Sequence, residues 1–306
     1  MMHWEKLGLI YKPDGKTGWK LTSALTPTPI ILEDRIRVYA GFRDIDGVSR
    51  IGYVDLDKKN PLTVIKISET PVLDIGVDGS FDDNGIILGD VIWVGDRLYM
   101  YYVGFQLVKK VKFLAFTGLA ISDDCGETFT KCTDVPLLDR KANSLYFNAV
   151  HTAMHDDSGF KFWLGAGSNW EKINEVFYPS YNVKYIESPD GVRFITESTD
   201  CLQFSREREY RMGRPRVYKT TTGYEMIFTW GDLTGNYQMG YAVSSDGKEW
   251  HRNDAMLNFH PSDDGWDDKT VSYGALFTID EITYMVYNGN QMGKDGFGLA
   301  RLINKN

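Results

Sequence analysis

A repeat of about sixty residues constrains this chain more than any other feature. Five short segments alternate aromatic or β-branched residues and close on glycine: Ile36–Gly41, Leu98–Gly104, Phe160–Gly165, Tyr224–Gly231 and Ile282–Gly289. Their closing glycines are spaced 63, 61, 66 and 58 residues apart. Short alternation of this kind predicts a β-strand rather than a helix. Repetition at a fixed period is the mark of a repeat architecture, which decides the fold before any local reading does.

Two further sets keep the same period. One precedes each segment: Thr26–Leu32, Gly85–Ile92, Phe147–Met154, Arg214–Tyr218 and Tyr273–Phe277. Another follows: Ile51–Asp55, Gly118–Ser122, Val183–Ser188, Gly240–Ser244 and Gly298–Arg301. Three of these run into an Asp-x-Gly or Asp-Gly turn with a trailing aromatic, at Ser122–Phe129, Ser188–Phe194 and Ser245–Trp250. Such turns between apolar runs are strong hairpin signals. Each unit therefore predicts a four-stranded antiparallel sheet, strands A to D. The fifth unit lacks a D strand, and Trp4–Tyr11 can supply it from the other end of the chain.

The expected fold is all-β: one five-bladed β-propeller domain over residues 1–306, its ring closed by the N-terminal strand. The blades run at about 22–75, 81–139, 145–203, 210–259 and 268–303, the last completed by 3–12. A β-sandwich does not predict five equal repeats. The 14% aromatic content and 30 glycines suit strands joined by tight turns.

Composition narrows the function. A net charge of −8 argues against nucleic acid as a partner. No apolar run approaches the ~18 residues of a membrane span, so no membrane partner is expected. The start Met-Met-His-Trp-Glu-Lys shows no signal peptide, and three sparse cysteines, Cys125, Cys132 and Cys201, read as reduced thiols of a cytoplasmic protein. A leader removed before this start is the alternative.

In an up-and-down blade the A–B and C–D turns share one face, and the B–C loops and approaches to strand A share the other. The Asp-Gly turns fall on the first face as turn chemistry. The opposite face collects Arg43, Trp170, Glu171, Trp230, Asp232, Tyr237, Asn288 and Asn290 from the B–C side. The strand A side adds Asp82, Asp83, Asn148, Trp266, Asp267, Asp268 and Tyr273. Aromatic faces stack on sugar C–H surfaces, and planar amides and carboxylates pair with vicinal hydroxyls, so this set predicts sugar recognition. A glycosidase needs two carboxylates roughly 5 to 10 Å apart. The candidate catalytic acids are Asp83, Asp232, Asp267 and Glu171; each could instead cap a turn or carry a solvated charge.

Arg214 and Arg216, in a cluster of five arginines, are candidates to hold a phosphate or carboxylate, with pairing to Glu207 and Glu209 as the structural alternative. His151 falls on strand A of the third blade near the axis, either as a satisfied core residue or as a contact to a central water, ion or substrate. No histidine or cysteine spacing suits a metal, and no cofactor is expected, although a central structural ion is left open.

At these residues the sequence resembles the five-bladed β-propeller glycosidase superfamily: arabinanases and β-xylosidases, invertases and levansucrases, and mannoside phosphorylases. The Ser-x-Asp-Gly turns and the acid-bearing approaches to strand A carry the resemblance. It implies an Asp in blade one and a Glu in blade three as catalytic acids, but Lys20–Pro27 and Tyr146–Ala149 hold none there. The phosphorylase-like members imply an acid in blade two, which matches Asp83 in Phe81-Asp-Asp-Asn84, and basic phosphate ligands, which match Arg214 or Arg216. The expected function is therefore a glycoside hydrolase or phosphorylase-like enzyme acting on a glycan or sugar derivative that bears phosphate or carboxylate. The alternatives are a non-catalytic glycan or sugar-nucleotide binding protein and a group-transfer enzyme of cell-surface glycan biosynthesis.

Overall fold

A computed structural model describes residues 1–173 and 175–305. It is all-β. After β1 (Met2–Tyr11) come β2 (Thr22–Ile31), β3 (Arg35–Arg43), β4 (Ser49–Asp57) and β5 (Val64–Ile67). Next are β6 (Ile86–Val94), β7 (Arg97–Leu107), β8 (Phe113–Ser122) and β9 (Thr130–Lys131). Then follow β10 (Phe147–Asp156), β11 (Gly159–Ile173), β12 (Val176–Ser188) and β13 (Thr199–Leu202). The chain continues with β14 (Glu209–Thr220), β15 (Gly223–Asp232), β16 (Tyr237–Ser244) and β17 (His251–Arg252). It ends with β18 (Ser272–Ile279), β19 (Ile282–Asn288) and β20 (Phe297–Lys305).

Within each group consecutive strands pair antiparallel, as the repeat predicts. The second and third groups are joined into one sheet by a short parallel contact of β10 with β8 at Phe147 and Asn148. The expected use of the N-terminus is seen directly: β1 pairs antiparallel with β20, giving the last group its fourth strand.

The apolar core lies between groups. One cluster joins Tyr39 and Tyr53 of the first group to Leu88 and Met100 of the second. Others join the second to the third and the third to the fourth. Two more join the fourth to the fifth and the fifth back to the first, where Phe277 and Leu299 pack with Val38 and Leu56. The first strands follow the same cycle, β2 contacting β6 and β18, and β10 contacting β6 and β14.

The Ser-x-Asp-Gly turns do more than reverse the chain. The hydroxyls of Ser122, Ser188 and Ser244 accept from the amides of Gly126, Gly191 and Gly247 at 2.8, 3.0 and 2.8 Å. Each glycine has positive φ, between 75 and 81°. Its carbonyl then accepts from an aromatic of the preceding group: Tyr39 to Gly126 at 2.9 Å, Tyr101 to Gly191 at 3.0 Å, Trp163 to Gly247 at 2.7 Å. A Cβ on Gly126 would lie 1.9 Å from the Tyr39 hydroxyl, so glycine is required on both counts. Each such bond contributes about 1 kcal/mol net and fixes the angle between neighbours. Among the described residues no helix is long and apolar enough to cross a membrane.

Candidate functional site

The five first strands share one irregularity. Register shifts interrupt β2 between Leu25 and Thr28, β6 between Leu88 and Asp90, and β10 between Val150 and Thr152. They interrupt β14 between Gly213 and Arg216, and β18 between Ser272 and Ala275. The displaced residues are Thr26, Gly89, His151, Arg214 and Tyr273, spaced 63, 62, 63 and 59 apart. A bulge adds one residue to a strand and re-aims a side chain. Thr26, Arg214 and Tyr273 adopt φ of 51, 53 and 58°, a strained region for a residue with a Cβ.

Thr26, His151, Arg214 and Tyr273 line one hollow of about 70 Å³, to which Ile87 of β6 also contributes. Gly89 gives its carbonyl instead; a Cβ there would meet the Val150 carbonyl at 2.2 Å. Arg214 fills the convergence. Its Nη1 donates to the carbonyls of Leu88 and Gly89 at 2.6 and 2.7 Å, and its Nη2 to the Thr28 hydroxyl at 2.5 Å and the Thr26 carbonyl at 3.2 Å. With no carboxylate on it, Arg214 is pushed down to about 9 by burial and by neighbouring Arg216, and is still a cation at neutral pH. Arg216 pairs with Asp90 at 2.7 Å and donates to the His151 carbonyl at 2.7 Å. Burial and these two guanidinium groups hold His151 well below the ordinary histidine range.

Above this floor opens a cavity of about 310 Å³. Its cations are Arg43, Lys112 and Arg211, with no Asp or Glu in its lining among the described residues. Arg211 lies under aromatic faces, 4.5 Å from the Tyr237 centroid and 4.8 Å from that of Tyr210. Burial works against its charge, yet Tyr181, Tyr210 and Tyr273 raise it overall. Arg43 is pushed down by burial, with Tyr273 opposing. Neither arginine has a carboxylate partner among the described residues, and the buried Nε atoms of both, like Nε1 of Trp170, lack a hydrogen-bond partner. Two hairpins form one wall: Phe105, Lys112 and Phe113 from β7–β8, and Trp170, Phe177 and Tyr178 from β11–β12.

The residues expected from the sequence divide sharply. Arg43, His151, Trp170, Tyr237 and Tyr273 line the cavity, and Arg214 lines its floor. The four acids expected as catalytic do not. Asp83 accepts from the Gly79 amide at 2.9 Å and from Asn84 at 3.0 Å, which closes a turn. Asp232 likewise accepts from the amides of Thr234 and Asn236 at 2.9 and 3.0 Å. Glu171 lies on the surface 3.9 Å from Arg206. Asp267 is buried, holding Lys6 at 2.7 Å and the Tyr287 hydroxyl at 2.9 Å.

Asp82 repeats that last arrangement in the second group, with Lys131 at 2.6 Å and the Tyr102 hydroxyl at 3.0 Å. Glu209 does so in the fourth, with both Nη atoms of Arg252 at 2.8 and 3.0 Å. The acid before or at the start of each of these first strands is thus a latch to the base on the last strand of the same group. Asp268 accepts from Asn290, whose Oδ1 accepts from the amides of Lys269 and Thr270. Asn148 and Asn288 are buried pins, donating to the carbonyls of Asp139 and Ser144, and of Ala24 and Gly296. Trp266 packs on Tyr287 at 5.1 Å, and Trp230 lies under Arg252.

Sequence reasoning did not select Thr26, Lys112 or Tyr181, and it noted Arg211 only as a member of the five-arginine cluster Arg206, Arg208, Arg211, Arg214 and Arg216. Aligning the repeats on the bulge would have found Thr26; Arg211, three residues before the Arg214 bulge, carries no repeat signal at all. A more open hollow of about 760 Å³ lies on the turn side of the fourth group, by Tyr241, Trp250 and His251. Its Glu225 and Lys305 are paired to one another.

No family model matches the chain. It is similar to the uncharacterized protein Rv1502 of Mycobacterium tuberculosis, 29% identical over 305 residues, which is 99% of this chain and 100% of that one. Solved structures share the fold. A BT0996 RGII complex superposes with a TM-score of 0.72 at 17% identity, covering 97% of this chain and 90% of that one. A thermostable family-43 glycoside hydrolase gives 0.68 at 16% identity, covering 95% and 91%. A structure from work on the GH130 mannoside phosphorylases and their glycoside hydrolases, which target β-1,2 mannosidic linkages, gives 0.71 at 15%, covering 98% and 93%. Several of these neighbours are described as glycoside hydrolases, and the chain shares their all-β fold.

Proposed function

We propose that the chain is a five-bladed, closed propeller that binds an anionic sugar derivative in its funnel and does not hydrolyse glycosides by a pair of carboxylates. The five groups, their cyclic cores and the β1–β20 pairing support the ring. The likeness to glycoside hydrolases and phosphorylases supports a carbohydrate as ligand. The observation that carries the reading is the cavity lining: Arg43, Lys112 and Arg211 among aromatic rings, with no acid among the described residues. An arginine fork matches carboxylate or phosphate, and aromatic faces stack on sugar rings. Two-carboxylate hydrolysis needs an acid and a base flanking the bond. Here Asp83 and Asp232 close turns, Asp82 and Asp267 are held in latches, and Glu171 lies outside the lining. The free thiols of Cys125, Cys132 and Cys201 support a reducing compartment.

Calorimetry with D-glucuronate, glucose 1-phosphate and glucose tests the reading. Saturable binding of at least one anion, at least ten-fold tighter than glucose and lost in Arg211→Met, is expected. A panel of aryl glycosides and oligosaccharides, with and without phosphate, should show no turnover. Phosphate-dependent turnover would replace this reading with phosphorolysis, and phosphate-independent turnover with hydrolysis.

A further inference from the structure

The same cavity is more apolar than a bare sugar requires. Its wall is built on Phe113, whose ring sits edge-on to Phe105 at 5.1 Å, Trp170 at 5.2 Å and Phe147 at 5.9 Å. These rings tie the β7–β8 hairpin to the β11–β12 hairpin. The wall runs outward without a break in character: Phe177 lines the cavity and is still 48% exposed, and Val176 beside it is 52% exposed. Solvent-facing apolar side chains that continue a cavity wall mark a binding surface rather than a packing defect. Among the described residues no Asn, Gln, Asp, Glu or Ser occurs anywhere in the lining. A free oligosaccharide needs such groups for its hydroxyls. Tyr181, Tyr237 and Tyr273 line instead both the cavity and the smaller hollow beneath it, together with Arg211. Tyr273 lines the cavity together with both Arg43 and Arg211.

The cavity is thus uneven: Arg211 and the three tyrosines adjoin the lower hollow, while the wall of Phe105, Phe113, Trp170 and Phe177, with Lys112 among them, is largely hydrocarbon. We propose that its ligand is an amphiphile: a sugar derivative with an anionic head on Arg211 and Arg43 and an apolar chain or ring laid along Phe113, Trp170 and Phe177. This rests on the anion-binding reading above and adds the apolar half of the ligand. Neutral sugars lack the charge the floor is built for, and headgroups alone leave the wall wet.

The test compares octyl β-D-glucuronide and octyl phosphate with D-glucuronate and inorganic phosphate, and octyl β-D-glucoside as the neutral control, all below their micelle concentrations. Affinity is read by calorimetry and by Trp170 fluorescence, using Trp170→Phe to assign the signal. The expected result is a gain of ten-fold or more from the octyl chain on a head that binds, a more negative heat-capacity change, and loss of most of that gain in Phe177→Ser. Phe177 is half exposed, so this variant folds. An octyl compound no tighter than its own head overturns the amphiphile and leaves the anion site standing. Octyl glucoside binding as tightly as the charged octyl compounds removes the anionic head. If none of the five compounds binds, both this inference and the reading beneath it fall.

Discussion

Nη1 of Arg214 lies 3.4 Å from Nδ1 of His151, two residues from equivalent bulges 63 positions apart. A guanidinium only donates, so Nδ1 presents its lone pair and the imidazole proton sits on Nε2. The contact joins β10 to β14 at the point where the inner strands converge. It also means that a neutral histidine is built into the floor beside a permanent cation.

This arrangement makes stability depend on pH below the ordinary histidine range. The folded His151 resists protonation through burial and through Arg214 and Arg216, so its pKa lies below the unfolded value of 6.5. The unfolded chain takes up the proton first as pH falls. Stability is therefore complete above about pH 6.5 and lost below it, by up to ~1.4 kcal/mol per pH unit. Urea midpoints at about pH 7.5, 6.5 and 5.5 should fall for the parent and stay flatter for His151→Gln. Glu127, whose burial opposes its charge, is nevertheless held down to about 2 by Arg37, Tyr53 and Lys66, and acts in a separate window below its ordinary 4.5. Parallel curves for parent and His151→Gln would refute the assignment.

Arg214→Met should destabilise strongly. It removes hydrogen bonds to three carbonyls and one hydroxyl and leaves those acceptors without the guanidinium in a buried place. Charged hydrogen bonds contribute about 1.5–3 kcal/mol each and are not additive, so a loss of about 3–5 kcal/mol is expected. Arg214→Lys should recover only part, because one ammonium cannot reach carbonyls of both β2 and β6. A denaturation midpoint within 1 kcal/mol of the parent (on the order of experimental scatter) would contradict the role.

Asp82→Asn and Asp267→Asn should lower stability without changing ligand affinity in the funnel. Each removes the charge that holds a lysine, Lys131 or Lys6, and keeps the tyrosine contact. Because both lysines reach solvent in part, a cost of about 1–3 kcal/mol is expected for each. The pair sits in different groups, so the two losses should add. Loss of binding at unchanged stability would instead mark these acids as part of the site.

Arg211→Met should do the reverse. The parent keeps a half-buried guanidinium, its Nε unpartnered and without a carboxylate among the described residues, an arrangement that favours a ligand over the empty fold. Methionine fills similar space against Tyr210 and Tyr237 with no charge to desolvate. The variant should equal or exceed the parent in stability by up to ~1 kcal/mol while losing at least ten-fold in anion affinity. Thermal melts and calorimetry on the same preparation decide it. A destabilised variant with intact affinity would show a structural residue.

Much of the fold was legible because it is repetitive. Strand periodicity, the closing glycines and the Asp-Gly turns depend on local chemistry that every copy repeats, and the donation of Trp4–Tyr11 to the last group followed from a missing fourth strand. The candidate site was legible only in part. Asp83 and Arg43 look alike on the page, two charged residues beside strands, yet one closes a turn and the other lines the cavity.

The sequence by itself determined the strands, their period, the turn chemistry and the order in which the sheets follow. Only the tertiary structure decided which charges are free. Asp82 meets Lys131 across 49 residues, Asp267 meets Lys6 across 261, and Arg216 meets Asp90 from a different sheet. Such partners are chosen by strand register, and one bulge residue exchanges the faces of everything beyond it. Local pattern carries the period of two; it does not carry the position at which that period slips, nor which distant partner then lies opposite.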